Sequence, residues 1–202
     1  MDKEFLYIMD KEIRKLGTIQ RSGDENSRIV EGKAISFNQP SENLGGFVEY
    51  IHPEAITQEL VDNSDVIAKF NHNDDRVLAR WNKGNGSMIL DLRADGLYYM
   101  FEAPNTTDGN DLLELLKRGD ISQSSFAFSL AVDKDSEKWV RNADGQIERH
   151  IYKIGGLYDV SPVFTPAYSS TSCLTRNLSE KLEEIKENDT KLDLILEQIK
   201  SL

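Results

Sequence analysis

A chain of 202 residues, 39% hydrophobic and 29% charged, has room for one folded body with a substantial core plus an appendage, and too little for two large domains. Its formal net charge of −11 argues against a broad phosphate-binding surface, so nucleic acid is not an expected partner. The single Cys173 excludes an internal disulfide and a clustered-cysteine zinc site, no apolar run approaches the roughly 20 residues that span a bilayer, and the patch Phe5 to Met9 is too short for a secretory signal, so the expected location is the cytoplasm.

Residues 1–27 carry mixed charge and the loop-like run Arg21-Ser22-Gly23-Asp24-Glu25-Asn26-Ser27, and read as an N-terminal arm or an added edge element. The body begins at Arg28, where Ile29 to Phe37 is β-prone and is followed by Pro40. Pro53, with apolar residues at helical spacing as far as Val61, predicts a short helix. Val66, Ala68 and Phe70 alternate toward His72, which stands where a strand meets the polar turn Asn73-Asp74-Asp75. Met88 to Leu92 and Leu97 to Phe101 flank Ala94-Asp95-Gly96 as a hairpin would. Asp111 to Lys117 is a predicted helix closed by Gly119.

The run from Ser125 to Val132 alternates strictly, with Phe126, Phe128, Leu130 and Val132 on one face and Ser125, Ala127, Ser129 and Ala131 on the other. The greasy face belongs to a core, and the bare face leaves the Ser125 hydroxyl open to a peptide, whereas Ser124 shares the side of the phenylalanines. After the polar excursion Asn142-Ala143-Asp144-Gly145, the stretches Arg149 to Ile154 and Leu157 to Val163 are strand-like and are broken by Gly155-Gly156. The fold class is therefore α+β and β-rich. From Asn177 onward Leu178, Ile185, Leu192 and Ile199 recur every seven residues, with Leu182 and Leu196 filling the seam. This predicts an amphipathic or coiled-coil helix over 177–202 that needs a partner helix or docks on the body.

Serine is unreactive at neutral pH unless a base takes its proton as it attacks, and an imidazole with an ordinary pKa of about 6.5 suits that task. Ser125 and His72 are the candidate pair. A third group must accept a hydrogen bond from the far nitrogen of the imidazole. Asp159 is favoured for that position and His150 is its competitor, while His52, preceding Pro53, reads as structural. His72, Asp74 and Asp75 cluster, but no second histidine lies at a ligand spacing, so neither a metal nor a cofactor is expected.

These residues fall within a longer pattern. Glu31-Gly32-Lys33-Ala34 with Phe37, Glu49 through Pro53 with Ala55, Phe70-Asn71-His72, Asp95-Gly96-Leu97, Arg118-Gly119-Asp120-Ile121, Ser125-Phe126-Ala127-Phe128, Asp159-Val160-Ser161-Pro162-Val163 and Thr165-Pro166-Ala167-Tyr168 follow one another in order from about residue 28 to 176. In this the chain resembles the prohead maturation proteases of tailed bacteriophages, which are similar to the herpesvirus assemblin proteases. The resemblance implies an assemblin-like β-barrel flanked by helices over 28–176. It also implies a serine endopeptidase that cuts scaffold protein, or the scaffold-like segment of the major capsid protein, inside the assembling prohead in the host cytoplasm. Carried over residue by residue, Ser125 matches the nucleophile and His72 the general base, and Asp159 stands where the family has an acidic residue, usually glutamate; herpesvirus relatives use a second histidine. Glu54 and Ala127 stand where glycine is common. The heptads of 177–202 would serve pairing with scaffold helices or with a second copy, and the Ser169 to Arg176 connector is a candidate for self-cleavage. A non-catalytic assembly protein with the same body is the competing function.

Overall fold

The computed structural model describes residues 11–23 and 27–164. The helix expected over 177–202, Cys173 and the Ser169 to Arg176 connector lie outside them. In chain order the strands and helices are β1 (Glu12–Ser22), β2 (Ile29–Ser36), β3 (Phe47–Ile51), α1 (Gln58–Asn63), β4 (Asp65–Lys69), β5 (Val77–Asn82), β6 (Asn85–Gly86), β7 (Met88–Arg93), β8 (Gly96–Glu102), α2 (Thr107–Arg118), β9 (Gln123–Leu130), β10 (Glu137–Arg141), β11 (Ile147–Ile151) and β12 (Ile154–Val163). The molecule is β-rich with few helices.

Nine strands form one sheet in the order β6-β5-β4-β12-β9-β1-β2-β8-β7, antiparallel throughout except for the parallel pair of β12 with β4. The sheet curls into a nearly closed barrel. Its two ends meet at Ser87, between β6 and β7, whose amide donates to the Arg80 carbonyl at 2.9 Å. Gly86 makes this approach possible: its φ is +121°, and a Cβ there would sit 2.1 Å from the Arg80 oxygen. Phe70, Tyr99, Phe126, Phe128, Leu97 and Leu112 are among the fully buried side chains that fill the interior.

A second sheet, β10-β11-β3, is tied to β1 by buried charge. Arg14 reaches Glu49 of β3 through Nε and Nη2 at 2.7 and 2.9 Å, and Arg149 of β11 reaches the same carboxylate at 2.8 Å. Glu12 accepts from Arg149 at 2.6 and 2.8 Å and from Arg14 at 2.5 Å, and Glu137 of β10 accepts from Arg149 at 2.6 Å. Burial by itself would raise the Glu12 pKa, but Arg149 and then Arg14 outweigh it and hold the carboxyl below its usual range. For Arg149 burial works against the charged form, and the surrounding carboxylates, Glu12 foremost, override it and raise its pKa well above the ordinary value.

Several boundaries differ from the sequence reading. The stretch expected as an arm or edge element contains β1, which is interior, hydrogen-bonded to β9 on one side and β2 on the other. A register shift between Arg14 and Gly17 conceals it, because the extra residue breaks the period of two and sets Ile13, which is exposed, and Ile19, which is buried, on opposite faces. Gly17 is required there: a Cβ would lie 1.6 Å from the Lys33 carbonyl oxygen. The helix expected from Pro53 to Val61 is a single 3₁₀ turn, Pro53–Ala55, followed by α1, which restarts behind Thr57 as its cap. Helix α2 starts earlier than expected, at the Thr106 cap, and ends on Gly119 at φ 79°. Gly155-Gly156 does not break β12; the pair lies in an irregularity of the ladder where Gly155 passes close to the Leu130 carbonyl. Strand β9 stops at Leu130, leaving Val132 70% exposed in the following turn.

Candidate active site

Three elements that are distant in sequence deliver three side chains to one point. β9 and β12 are antiparallel neighbours, and their register sets Ser161 opposite Ser125 and Asp159 opposite Ala127, so all four side chains share one face of the sheet. β4 runs parallel to β12 with Ile67 opposite Asp159, and at its end the chain turns through Phe70–His72. Asn71 and His72 both take positive φ, 55° and 59°, which reverses the chain over the barrel face. The outcome is a linear series. Ser125 Oγ lies 2.6 Å from His72 Nε2, and His72 Nδ1 lies 2.6 Å from Asp159 Oδ1. With Nδ1–H directed at the carboxylate, Nε2 is left as the acceptor facing the hydroxyl.

The Asp159 carboxylate is fully enclosed. Ser161 Oγ donates to Asp159 Oδ1 at 3.1 Å and sits 3.2 Å from His72 Nδ1. The other oxygen, Oδ2, takes the Lys11 ammonium at 2.8 Å, with Lys69 Nζ at 3.6 Å. Burial by itself would raise the Asp159 pKa, but the hydrogen bond and charge of His72, then those of Lys11, outweigh it and lower it to about 2. Lys69 is shared with Asp74, 2.5 Å away.

The bare face of β9 is not open as expected. Ser125, Ala127 and Ser129 are buried to 0, 0 and 1% exposure. Small side chains here make room for other groups: the imidazole of His72 packs against Ser125, and the Tyr158 hydroxyl meets Ser129 at 2.8 Å. The Ser125 hydroxyl has one proton and a second acceptor within reach, the Arg14 carbonyl at 2.9 Å. Ser124 points to the opposite side and bonds the Tyr99 hydroxyl at 2.9 Å in the core.

His150 does not approach His72. Its Nδ1 is 2.9 Å from His52 Nε2, its Nε2 is 3.2 Å from Glu148, and its ring stacks on Tyr50. Asp74 turns to Lys69, and among the described residues no group of three or more His, Cys, Asp or Glu side chains is arranged to hold a metal ion. Among them no helix is long and apolar enough to cross a membrane. Sequence reasoning missed Lys11, Lys69 and Ser161. Only Ser161 carried a local signal, standing two residues beyond Asp159 and hence on the same face of a strand.

The sequence profile of the caudovirus prohead serine proteases matches residues 15–188. The chain belongs to that family. This protease is thus a serine protease of prohead maturation, and the match begins within β1, ahead of the residues on which the resemblance was read. A solved structure of the bacteriophage T4 capsid assembly protease, gp21, is similar with a TM-score of 0.47 and 12% identity, covering 77% of this chain and 98% of that one. No curated protein matches it.

Proposed function

We propose that this protease uses Ser125 as nucleophile, His72 as general base and Asp159 as the residue that orients and stabilises the imidazolium, and that it cleaves scaffold protein or the scaffold-like segment of the major capsid protein within the assembling prohead in the host cytoplasm. The observation that carries the reading is the unbroken series from hydroxyl to imidazole to carboxylate, each step 2.6 Å. As Ser125 Oγ attacks the scissile carbonyl, its proton passes to His72 Nε2. When the carbon–nitrogen bond breaks, the same nitrogen returns that proton to the leaving amine. Water, deprotonated by His72, then releases the acyl group from Ser125. Asp159 stays ionised throughout because its pKa lies far below neutrality. Burial of Ser125 makes the described arrangement a resting form in which substrate binding has to uncover the hydroxyl.

On this reading the assemblin-like protease body includes β1 as well as the strands that follow residue 28. The test is to incubate the full chain, and separately Ser125→Ala, with the capsid and scaffold proteins under assembly conditions, following products by intact mass. Cleavage by the natural chain and none by Ser125→Ala is expected. Equal cleavage by both removes Ser125 from the chemistry; no cleavage by either favours a non-catalytic assembly role.

A further inference from the structure

Strand alternation at the start of β1 separates its charges. Glu12 and Arg14 turn to the buried cluster with Glu49 and Arg149, while Lys11, one residue ahead of the strand, turns to the opposite face and contacts Asp159. Lys11 is the only side chain within 3 Å of Asp159 Oδ2 among the described residues, and Lys69, at 3.6 Å, spends its closest contact on Asp74. The oxygen that Lys11 holds is the one His72 does not use.

We infer that Lys11 is a positioning residue of the catalytic centre, fixing the rotation of the Asp159 carboxylate so that Oδ1 stays in line with His72. The inference rests on the triad reading above. A carboxylate with only one anchored oxygen swings about its own axis; the ammonium on Oδ2 locks Oδ1 in line with His72 Nδ1. The charged groups facing the pair are Lys11 from the segment before β1 and Lys69 from β4, with Asp74 of the following turn bound to Lys69; Tyr158 of β12 lies beneath the Lys11 ammonium, 5.8 Å from it. Lys11 does not hold this position unaided, since the adjacent Glu12 and Arg14 anchor the chain in the ionic cluster.

The deciding measurement is kcat and KM, separately, for cleavage of the capsid or scaffold substrate by the full chain, Lys11→Met, Lys11→Arg and Ser125→Ala. Lys11 is 41% exposed at its side chain, so the Met variant is compatible with folding. Lys11→Met is expected to lower kcat on the order of tenfold with little change in KM, because the carboxylate no longer holds the imidazole in line. Lys11→Arg is expected to restore kcat. A kcat in Lys11→Met equal to that of the natural chain, or one lowered equally in Lys11→Arg, overturns the inference while an inactive Ser125→Ala leaves the triad standing. An active Ser125→Ala overturns the triad itself.

Discussion

The start of β1 touches two groups of charges, and they differ in how completely the charges are answered. In the cluster of Glu12, Arg14, Glu49, Arg149 and Glu137, acid meets guanidinium on every side, several contacts are paired, and no proton acceptor faces a reactive group. In the group of Lys11, Lys69, Asp159 and His72 the series ends on an imidazole nitrogen directed at a hydroxyl. The first arrangement holds two sheets together. The second, on the proposed reading, can move a proton. Similar ingredients therefore give a structural clamp or a reactive centre according to whether the chain of partners closes on itself or stops at a group that can give up hydrogen.

Substitutions should separate the two kinds of site, beginning with the largest effect. Asp159→Asn should retain the fold and lower kcat by about 10³ to 10⁴-fold, because an amide no longer fixes the imidazole tautomer; steady-state cleavage kinetics measure this. Glu49→Ala should leave Arg14 and Arg149 partly unpaired in the interior and cost about 3–5 kcal/mol in urea unfolding, the usual penalty for breaking a buried pair. A loss below 1 kcal/mol would mean that water replaces the carboxylate and that the cluster is not a clamp.

A smaller difference appears with pH. The Asp159 pKa is lowered from 3.8 to about 2 on folding, so the unfolded chain binds its proton first as pH falls. The carboxylate contributes roughly 2 kcal/mol of stability, present above pH ~4 and lost as pH falls through the folded value. Denaturant titrations between pH 5 and 2 (about that range) should show this loss in the natural chain and not in Asp159→Asn. The smallest effect is expected at the exposed pair of Asp65 with Arg80, where Asp65→Asn should change stability by less than about 1 kcal/mol and leave cleavage unchanged. This variant sets the baseline against which the buried charges are judged.

The hairpin of β7 and β8, the helix before Gly119 and the strand of Ser125 were legible because each depends on neighbours in sequence: a tight turn, a left-handed cap, a period of two. Strand β1 was not, since its bulge interrupts that period. The openness of the small face of β9 was misjudged for a related reason. Alternation tells which residues share a face, and says nothing of what another segment lays over it.

Sequence by itself determined the β-rich class, the prohead-protease resemblance and the three residues offered as nucleophile, base and acid, because local periodicity and ordered motifs are written along one chain. Only the tertiary structure decided that Asp159 rather than His150 stands beside His72, that Ser125 is enclosed, and that Lys11 completes the carboxylate's partners. Those outcomes depend on the registers of β12 with β9 and β4 and on the anchoring of β1 by buried charge. They join residues up to 148 positions apart, a separation over which no local pattern carries information.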